Sequence, residues 1–191
     1  YVPEMFDSMV KDFEFDKKRA EIEEFNRENL WKKRGMAITA SKYGLAIGLK
    51  FLNQGAALCN IYTDGTVLLY TAGIEMGQGL NTKLIHIAAN TLQIPESDIH
   101  ICETATNTVP NGVPTAASVA TDLQGGATMK ACEVLAERIR PYREKNPNGK
   151  LSDWATAAFL DRVSLSATGF YATPNMDYDK EKNTGTLYTY F

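Results

Sequence analysis

A glycine-rich run between an extended segment and a helical pattern is the first feature that could do chemistry. Residues 73–79 read Gly-Ile-Glu-Met-Gly-Gln-Gly, and apolar residues at helical spacing follow from Leu80 to Leu92. Glycine lets the backbone take a positive φ and approach a ligand closely, and a helix N-terminus offers unpaired N–H groups to an anion. The amide of Gln78 adds a donor and an acceptor. The run predicts a phosphate or polar-cofactor site, although a lone Gly-x-Gly turn is weak evidence.

A second loop leads into a second predicted helix. Residues 107–118 are rich in Asn, Pro and Gly, and the apolar stripe after them predicts a helix over about 118–140. Pro141 is expected to end that helix. Both loops therefore open predicted helices, and Gln78, Ala117 and Ser118 are predicted to converge in space because both loops also match the segments of one family's cofactor site, as described next.

The amino-acid sequences of both loops resemble those of a known family. EMGQGLNTK at 75–83 and NTVPNGVPTAAS at 107–118 are similar to the molybdopterin-cofactor-binding region of the xanthine dehydrogenase and aldehyde oxidase family. The motif PTAAS at 114–118 is the one typical of the xanthine dehydrogenase branch. WKKRG at 31–35, FLNQ at 51–54, YTDG at 62–65 and SLSATGFY at 164–171 agree, so the resemblance runs from about Phe13 to the last residue.

The resemblance implies a role for each residue of the loops. The implied cofactor-binding residues are Met76, Gly77, Gln78, Gly79, Ser118, Val119 and Ala120. Ala117 corresponds to the small residue packed against the molybdenum. The family often has a serine where Ala120 stands, so one hydroxyl contact is missing here. The alternatives are an exposed loop amide at Gln78, a packing residue at Ala117 and an ordinary helix cap at Ser118.

Ile47, Gly48 and Ala116 are the substrate-pocket residues that the resemblance implies. Xanthine dehydrogenases usually have a phenylalanine at the position of Ile47 and often a threonine at Gly48. An Ile–Gly pair loses an aromatic contact worth about 0.5–1.5 kcal/mol. This departure predicts weaker selectivity for purines. The alternative is that both residues are simply buried in a strand.

No catalytic residue is expected within this segment. Glu75 adjoins the first loop, but the family's base is a glutamate near the far end of the full chain, so a structural carboxylate is favoured. His86 and His100 have no second histidine at ligand spacing. No Cys-x-x-Cys or flavin motif occurs. The resemblance therefore implies molybdenum–molybdopterin bound partly here, with 2Fe–2S and FAD elsewhere in the full-length chain.

The implied activity is oxidoreductase chemistry in purine catabolism. The full-length enzyme, expected as a homodimer, oxidises small-molecule substrates such as hypoxanthine and xanthine (to urate) with water-derived oxygen, and NAD or dioxygen accepts the electrons. The segment alone is expected to be inactive. One alternative is aldehyde oxidase-type hydroxylation of aldehydes and N-heterocycles. Another is a truncated, inactive chain with only a structural or interaction role.

Composition excludes several other classes. Of 191 residues, 44% are hydrophobic and 23% charged, and the net charge is −3. That charge provides no basic surface for nucleic acid. No apolar run approaches the roughly 20 residues of a membrane span, and no secretory signal opens the chain. Three isolated cysteines predict reduced thiols and a cytoplasmic protein.

The order of elements predicts an α+β fold of helices and short, mostly antiparallel strands. Residues 1–33 are expected to form a helical lead-in and 34–191 the α+β cofactor-binding segment, together a partial molybdopterin-binding domain of a larger enzyme. Residues 36–40 and 45–49 are predicted strands, and residues 63–65 a hairpin turn. An aromatic alternation at 187–191 predicts a strand in progress, which, with the missing initiator methionine, indicates a fragment.

Overall fold

Two helices open the chain. This computed structural model describes residues 1–179 and 181–185, and it divides into a unit of Tyr1–Gly44 and a second that begins at Leu45. In the first unit, α1 spans Val2–Asp12 and α2 spans Phe15–Glu28. Residues 36–40, predicted as a strand, are irregular because no neighbouring strand in the described chain pairs with them. The predicted strand at 187–191 lies outside the described residues.

A four-stranded mixed sheet forms the base of the second unit. Its strands are β1 Gln54–Ile61, β2 Val67–Thr71, β3 Ile99–Ile101 and β4 Ser166–Ala172. In the order β3-β2-β1-β4, β1 pairs antiparallel with β2 and β4, whereas β2 and β3 are parallel. Two short strands, β5 Tyr178–Asp179 and β6 Thr184–Gly185, form a separate antiparallel pair. The α+β prediction with mostly antiparallel strands is confirmed.

The turn between β1 and β2 follows the predicted hairpin. Gly65 has φ +93°, and Asp64 Oδ1 accepts a hydrogen bond from the Thr66 N–H at 2.9 Å. Every second residue of β1 and β2 is buried, as expected for strands with one face on the core. Helices α3 Leu80–Leu92, α4 Ala120–Lys145 and α5 Leu151–Leu160 contribute most of the rest of that core, with Ile99 of β3 and Ala167 of β4.

Glycines let α4 lie directly against the sheet. A Cβ added at Gly55 in β1 would stand 2.5 Å from the carbonyl oxygen of Leu123, and one at Gly169 in β4 would overlap the carbonyl oxygen of Ala127. Real side chains do not approach backbone atoms that closely, so only glycine permits this crossing. The close packing fixes the N-terminus of α4 beside the loop that follows β2.

The prediction that Pro141 ends its helix is wrong, because α4 continues to Lys145. Arg143, in the added turn, donates to the Leu92 carbonyl at 2.6 Å and to Gln93 Oε1 at 3.0 Å. Its guanidinium also stacks 4.5 Å from the Trp154 ring centroid. These tertiary contacts offset the roughly 3 kcal/mol that an interior proline costs.

Residues 45–49 are irregular rather than a strand, and they lead into a 3₁₀ turn at Lys50–Leu52. The buried side chain of Asn53 supplies hydrogen-bond donors that a partner strand would otherwise provide. Its Nδ2 donates to the carbonyl oxygens of Ile47 at 2.8 Å and Leu49 at 3.0 Å. An amide that satisfies backbone acceptors in this way offers the chain an alternative to strand pairing.

Candidate cofactor-binding site

A cleft of about 370 Å³ lies between the N-terminal ends of α3 and α4. It brings together the two loops that the sequence singles out, although they are far apart along the chain. The residues lining it are Met76, Gln78, Leu80, Lys83, Thr115, Ala116, Ala117, Ser118, Ala120 and Thr121. The structure therefore places Gln78, Ala117 and Ser118 around one space, as the sequence predicts.

The first loop owes its shape to glycine and to its own side chains. Gly77 and Gly79 have φ of +94° and +79°, which glycine adopts without steric cost. Gln78 Oε1 accepts from the Met76 N–H at 2.6 Å, and its Nε2 donates to the Ile74 carbonyl at 2.9 Å. A side-chain amide has two N–H groups and two lone pairs, so Gln78 keeps one of each for a ligand.

The Glu75 carboxylate accepts hydrogen bonds from backbone N–H groups at the N-terminus of α3. Its Oε1 accepts from the N–H groups of Gly77 at 2.9 Å and Gly79 at 3.0 Å, and its Oε2 accepts from the Asn81 N–H at 2.9 Å. The bond from Asn81, helped by those from the glycines, holds the pKa of Glu75 below its ordinary value. Glu75 is thus an ionised structural carboxylate, as predicted. Its oxygens already accept N–H groups at the helix end where the sequence predicts an anion site, and that site stays a prediction.

The second loop adopts its turn without glycine. Ala117 and Ser118 lie consecutively in the left-handed region, with φ of +54° and +59°, at a cost of about 1–2 kcal/mol each. The Ala117 carbonyl accepts from the Ala46 N–H at 3.2 Å, and the Ala116 carbonyl accepts from the Val119 N–H at 3.3 Å. Val119 is 1% exposed. It is not among the residues that line the cleft, and its N–H donates within the loop.

The N-terminus of α4 faces the cleft through Ala120 and Thr121. The first N–H groups of a helix have no partner inside it, and the helix dipole favours an anion beside them. Ala120 lacks the hydroxyl of the family's serine, but Thr121 lines the same space. This end of the cleft is the one suited to a ligand phosphate.

Two side-chain hydroxyls connect the loops to the fold. Thr115 Oγ1, in the second loop, accepts from the Ile74 N–H at 3.0 Å. The buried Thr71 Oγ1 accepts from the Gly73 N–H at 3.1 Å. The first bond joins loop to loop, and the second joins the first loop to the end of β2.

Sequence reasoning missed Lys83. Among the described residues that line the cleft, it alone is charged. The available signal was its spacing, because Lys83 stands three residues after Leu80 and so lies one helical turn from the loop. Its ammonium group adds positive charge to a site that already offers helix N–H groups. Small side chains at Ala116, Ala117 and Ala120 leave the volume open. These residues fit an anionic, amide-rich cofactor.

Ile47 and Gly48 do not line the cleft. Ile47 is partly buried and Gly48 is exposed, and a Cβ added at Gly48 would meet nothing within 4 Å. Their link to the site is the hydrogen bond between the neighbouring Ala46 and Ala117. Neither belongs to a strand. Their substrate role stays a prediction, whereas Ala116 lines the cleft itself.

Within residues 1–179 and 181–185, the other titratable side chains form no second metal centre. The described residues hold no cluster of three or more His, Cys, Asp or Glu side chains that could bind a metal ion. His86 pairs with Glu96 at 2.5 Å on the exposed side of α3. Cys59, Cys102 and Cys132 are free thiols. In the described part of the chain, no helix has both the length and the apolar character to cross a membrane.

Comparison with known proteins agrees with this geometry. Residues 8–191 match the family described as "Molybdopterin cofactor-binding domain". Xanthine dehydrogenase/oxidase of Felis catus is 50% identical over 190 residues, which covers 100% of this chain and 14% of that protein. Xanthine dehydrogenase of Calliphora vicina is 50% identical over 191 residues, again 100% of this chain and 14% of the relative. The chain thus spans a small part of these relatives.

Solved structures share the fold. The aldehyde oxidoreductase from Desulfovibrio desulfuricans ATCC 27774 aligns with a TM-score of 0.55 and 24% identity, over 96% of this chain and 19% of that chain. Quinoline 2-oxidoreductase from Pseudomonas putida 86 aligns with a TM-score of 0.57 and 18% identity, over 90% and 26%. These alignments show the shared fold, and the sequence match over residues 8–191 shows that the chain belongs to the molybdopterin cofactor-binding domain family.

Proposed function

We propose that this chain is the part of a molybdenum hydroxylase that holds one side of the molybdopterin cofactor. The observation that supports this most strongly is the shared cleft, because it unites Gln78, Ala117 and Ser118 at the open end of α4. Its chemistry is that of an anion site with neutral hydrogen-bonding groups around it.

Each part of the cleft has a distinct role in this proposal. The first N–H groups of α4 and the Lys83 ammonium bind the anionic end of the cofactor. The Gln78 amide and the Ser118 hydroxyl orient the pterin through hydrogen bonds, and Ala117 leaves room for the metal's ligands. When bound, the molybdenum–molybdopterin group supplies the electron sink and Lewis acid for hydroxylation.

For the parent protein we propose purine oxidation, with hypoxanthine and xanthine as substrates and urate as the final product. The support is the 50% identity to xanthine dehydrogenases over the whole of this chain. NAD or dioxygen would accept the electrons through 2Fe–2S and FAD elsewhere in the parent, which we expect to be a cytoplasmic homodimer. The catalytic base also belongs to the rest of the parent.

Oxidation of aldehydes or N-heterocycles is a second candidate, favoured by one observation. Ile47 and Gly48 stand where xanthine dehydrogenases usually have phenylalanine and often threonine. The space at Gly48 is open in the structure, since an added Cβ meets nothing within 4 Å. A substrate site without the aromatic contact discriminates less in favour of a flat purine.

The test uses the full-length parent protein. Molybdenum and pterin are quantified in the purified protein, and kcat/KM is measured for xanthine and for an aromatic aldehyde, each with NAD and with dioxygen. We expect about one molybdenum per chain and a higher kcat/KM for xanthine. A higher value for the aldehyde would support the second candidate. A parent without molybdenum or turnover would contradict both and favour a structural role.

A further inference from the structure

The Glu75 carboxylate accepts three backbone hydrogen bonds, from two residues of its own loop and one of the first turn of α3. We infer that Glu75 is a positioning residue, whose carboxylate fixes residues 73–79 in their ligand-binding shape before the cofactor arrives. The inference rests on the proposed function of the cleft. It concerns how the site is prepared, since Glu75 does not line the cleft.

The first step is geometric. The two carboxylate oxygens accept three backbone N–H bonds of 2.9–3.0 Å, from Gly77, Gly79 and Asn81. Two of these donors belong to glycines with positive φ. A glycine loses more backbone freedom on ordering than any other residue, so this loop needs a specific restraint. The carboxylate supplies it at both glycines and at the first turn of α3.

The second step concerns Gln78, which stands between the two restrained glycines. Its side chain bonds to Met76 and Ile74 within the same loop, so its orientation depends on the loop's shape. With Gly77 and Gly79 held by Glu75, the Gln78 amide lies at the cleft without a ligand to order it. A site ordered in advance loses less entropy on binding.

The third step concerns charge. A helix N-terminus attracts an anion, and the cleft lies between two such ends. Because the Glu75 carboxylate occupies the end of α3, a ligand anion is directed to α4, where Ala120, Thr121 and Lys83 line the space. Glu75 is poorly suited to take a proton, since its oxygens already accept three N–H groups and these hold its pKa low.

The experiment compares four full-length proteins: the wild type, Glu75→Ala, Glu75→Gln and the control Glu133→Gln. Glu133 is an exposed carboxylate on α4 that bonds to Lys130, away from the cleft. Amide hydrogen exchange is followed by mass spectrometry in peptides covering 73–82 and, as a reference, β1. Molybdenum and pterin are quantified, and kcat is expressed per bound molybdenum.

For Glu75→Ala we expect exchange in peptide 73–82 to rise about tenfold or more, because charge-assisted bonds are lost. Exchange in β1 should stay unchanged. Cofactor content should fall severalfold, whereas kcat per molybdenum should stay within about threefold of wild type, since the assembled site is the same. Glu75→Gln retains one acceptor oxygen, so its exchange rate and cofactor content should lie between those of the wild type and Glu75→Ala. Glu133→Gln should match the wild type in both.

Three results overturn the inference. One is a wild-type cofactor content in Glu75→Ala. Another is an unchanged exchange rate in peptide 73–82. The third is faster exchange in β1 to the same degree as in the loop, which would mean general destabilisation. A wild-type parent that contains no molybdenum would instead overturn the proposed function, so the two failures are distinguishable.

Discussion

The two loops of the cleft reach similar turns by opposite means. The first loop places glycines where φ is positive and closes its helix N-terminus with its own Glu75. The second loop places Ala117 and Ser118 in the same region of φ and leaves its helix N-terminus facing the cleft. The backbone of the first loop is therefore unstrained, and the N–H groups at its helix N-terminus have partners within the loop. The second stores strain and carries the unsatisfied donors, a combination often found where a ligand binds.

The largest effect is expected at the strained loop. Ala117→Phe in the parent should abolish cofactor content and turnover, because its side chain would fill the space that Ala117 leaves open. Ala117→Gly should retain both and relieve strain of about 1 kcal/mol. Molybdenum analysis and kcat/KM for xanthine measure this contrast. Ala172→Phe at the exposed end of β4 is the control for added bulk. Near-normal turnover with Phe at 117 would place Ala117 away from the metal.

The next effect tests which helix end holds the anion. Lys83→Met keeps the length of the side chain and removes its charge, so cofactor content should fall by about tenfold or more, as expected for one hydrogen bond to a charged group. The deficit should narrow at high salt, because salt already screens the wild-type charge. Lys130→Met, on the outer face of α4, provides the matched control. Equal cofactor content in both variants would remove Lys83 from the site.

A smaller effect is expected at the substrate side. Ile47→Phe should leave molybdenum content unchanged and raise the ratio of kcat/KM for xanthine over an aldehyde by about two- to tenfold, the value of one aromatic contact. Leu49→Phe is a suitable control, since Leu49 is a nearby, exposed residue of the same irregular segment. If the ratio for Ile47→Phe does not change, Ile47 lies outside the substrate pocket.

The smallest effect concerns the hydrogen bond between the loops. Thr115→Val keeps the shape of the side chain but loses the acceptor for the Ile74 N–H. A neutral bond contributes about 0.5–1.5 kcal/mol, so exchange of the Ile74 amide should accelerate about two- to tenfold, with cofactor content nearly unchanged. Thr108→Val, in the same loop, serves as the control. Slow exchange at Ile74 in Thr115→Val would mean that the loops are held together otherwise.

Sequence patterns predicted the parts of the site that depend on local chemistry. The shape of the glycine run and the start of α3 at Leu80 follow from glycine positions and a helix start, whereas the meeting of both loops in one cleft was expected from their resemblance to one family's cofactor segments. The occupation of the α3 N-terminus by Glu75 was harder to foresee, because it depends on a loop curling back on itself. A pattern does not single out Lys83, because a lone lysine on a helix is usually a solvated residue.

Tertiary contacts explain where sequence patterns failed. Pro141 does not end α4, because Arg143 ties the following turn to Leu92 and Trp154. Residues 45–49 have the apolar alternation of a strand, but the Asn53 side chain satisfies their carbonyl groups instead. In both places the deciding partner lies on another residue, which a local pattern does not include.

The crossing of α4 over Gly55 and Gly169 has a consequence for how variants of this family are interpreted. Any side chain at Gly169 would overlap the Ala127 backbone and push the helix away from the sheet. Because the second loop leads directly into α4, a shift of this helix would also move Ala117 and Ser118. A change in a strand that never touches the cleft would then present as a cofactor deficiency. The cofactor site thus imposes its sequence requirements on residues that a list of ligand contacts would omit.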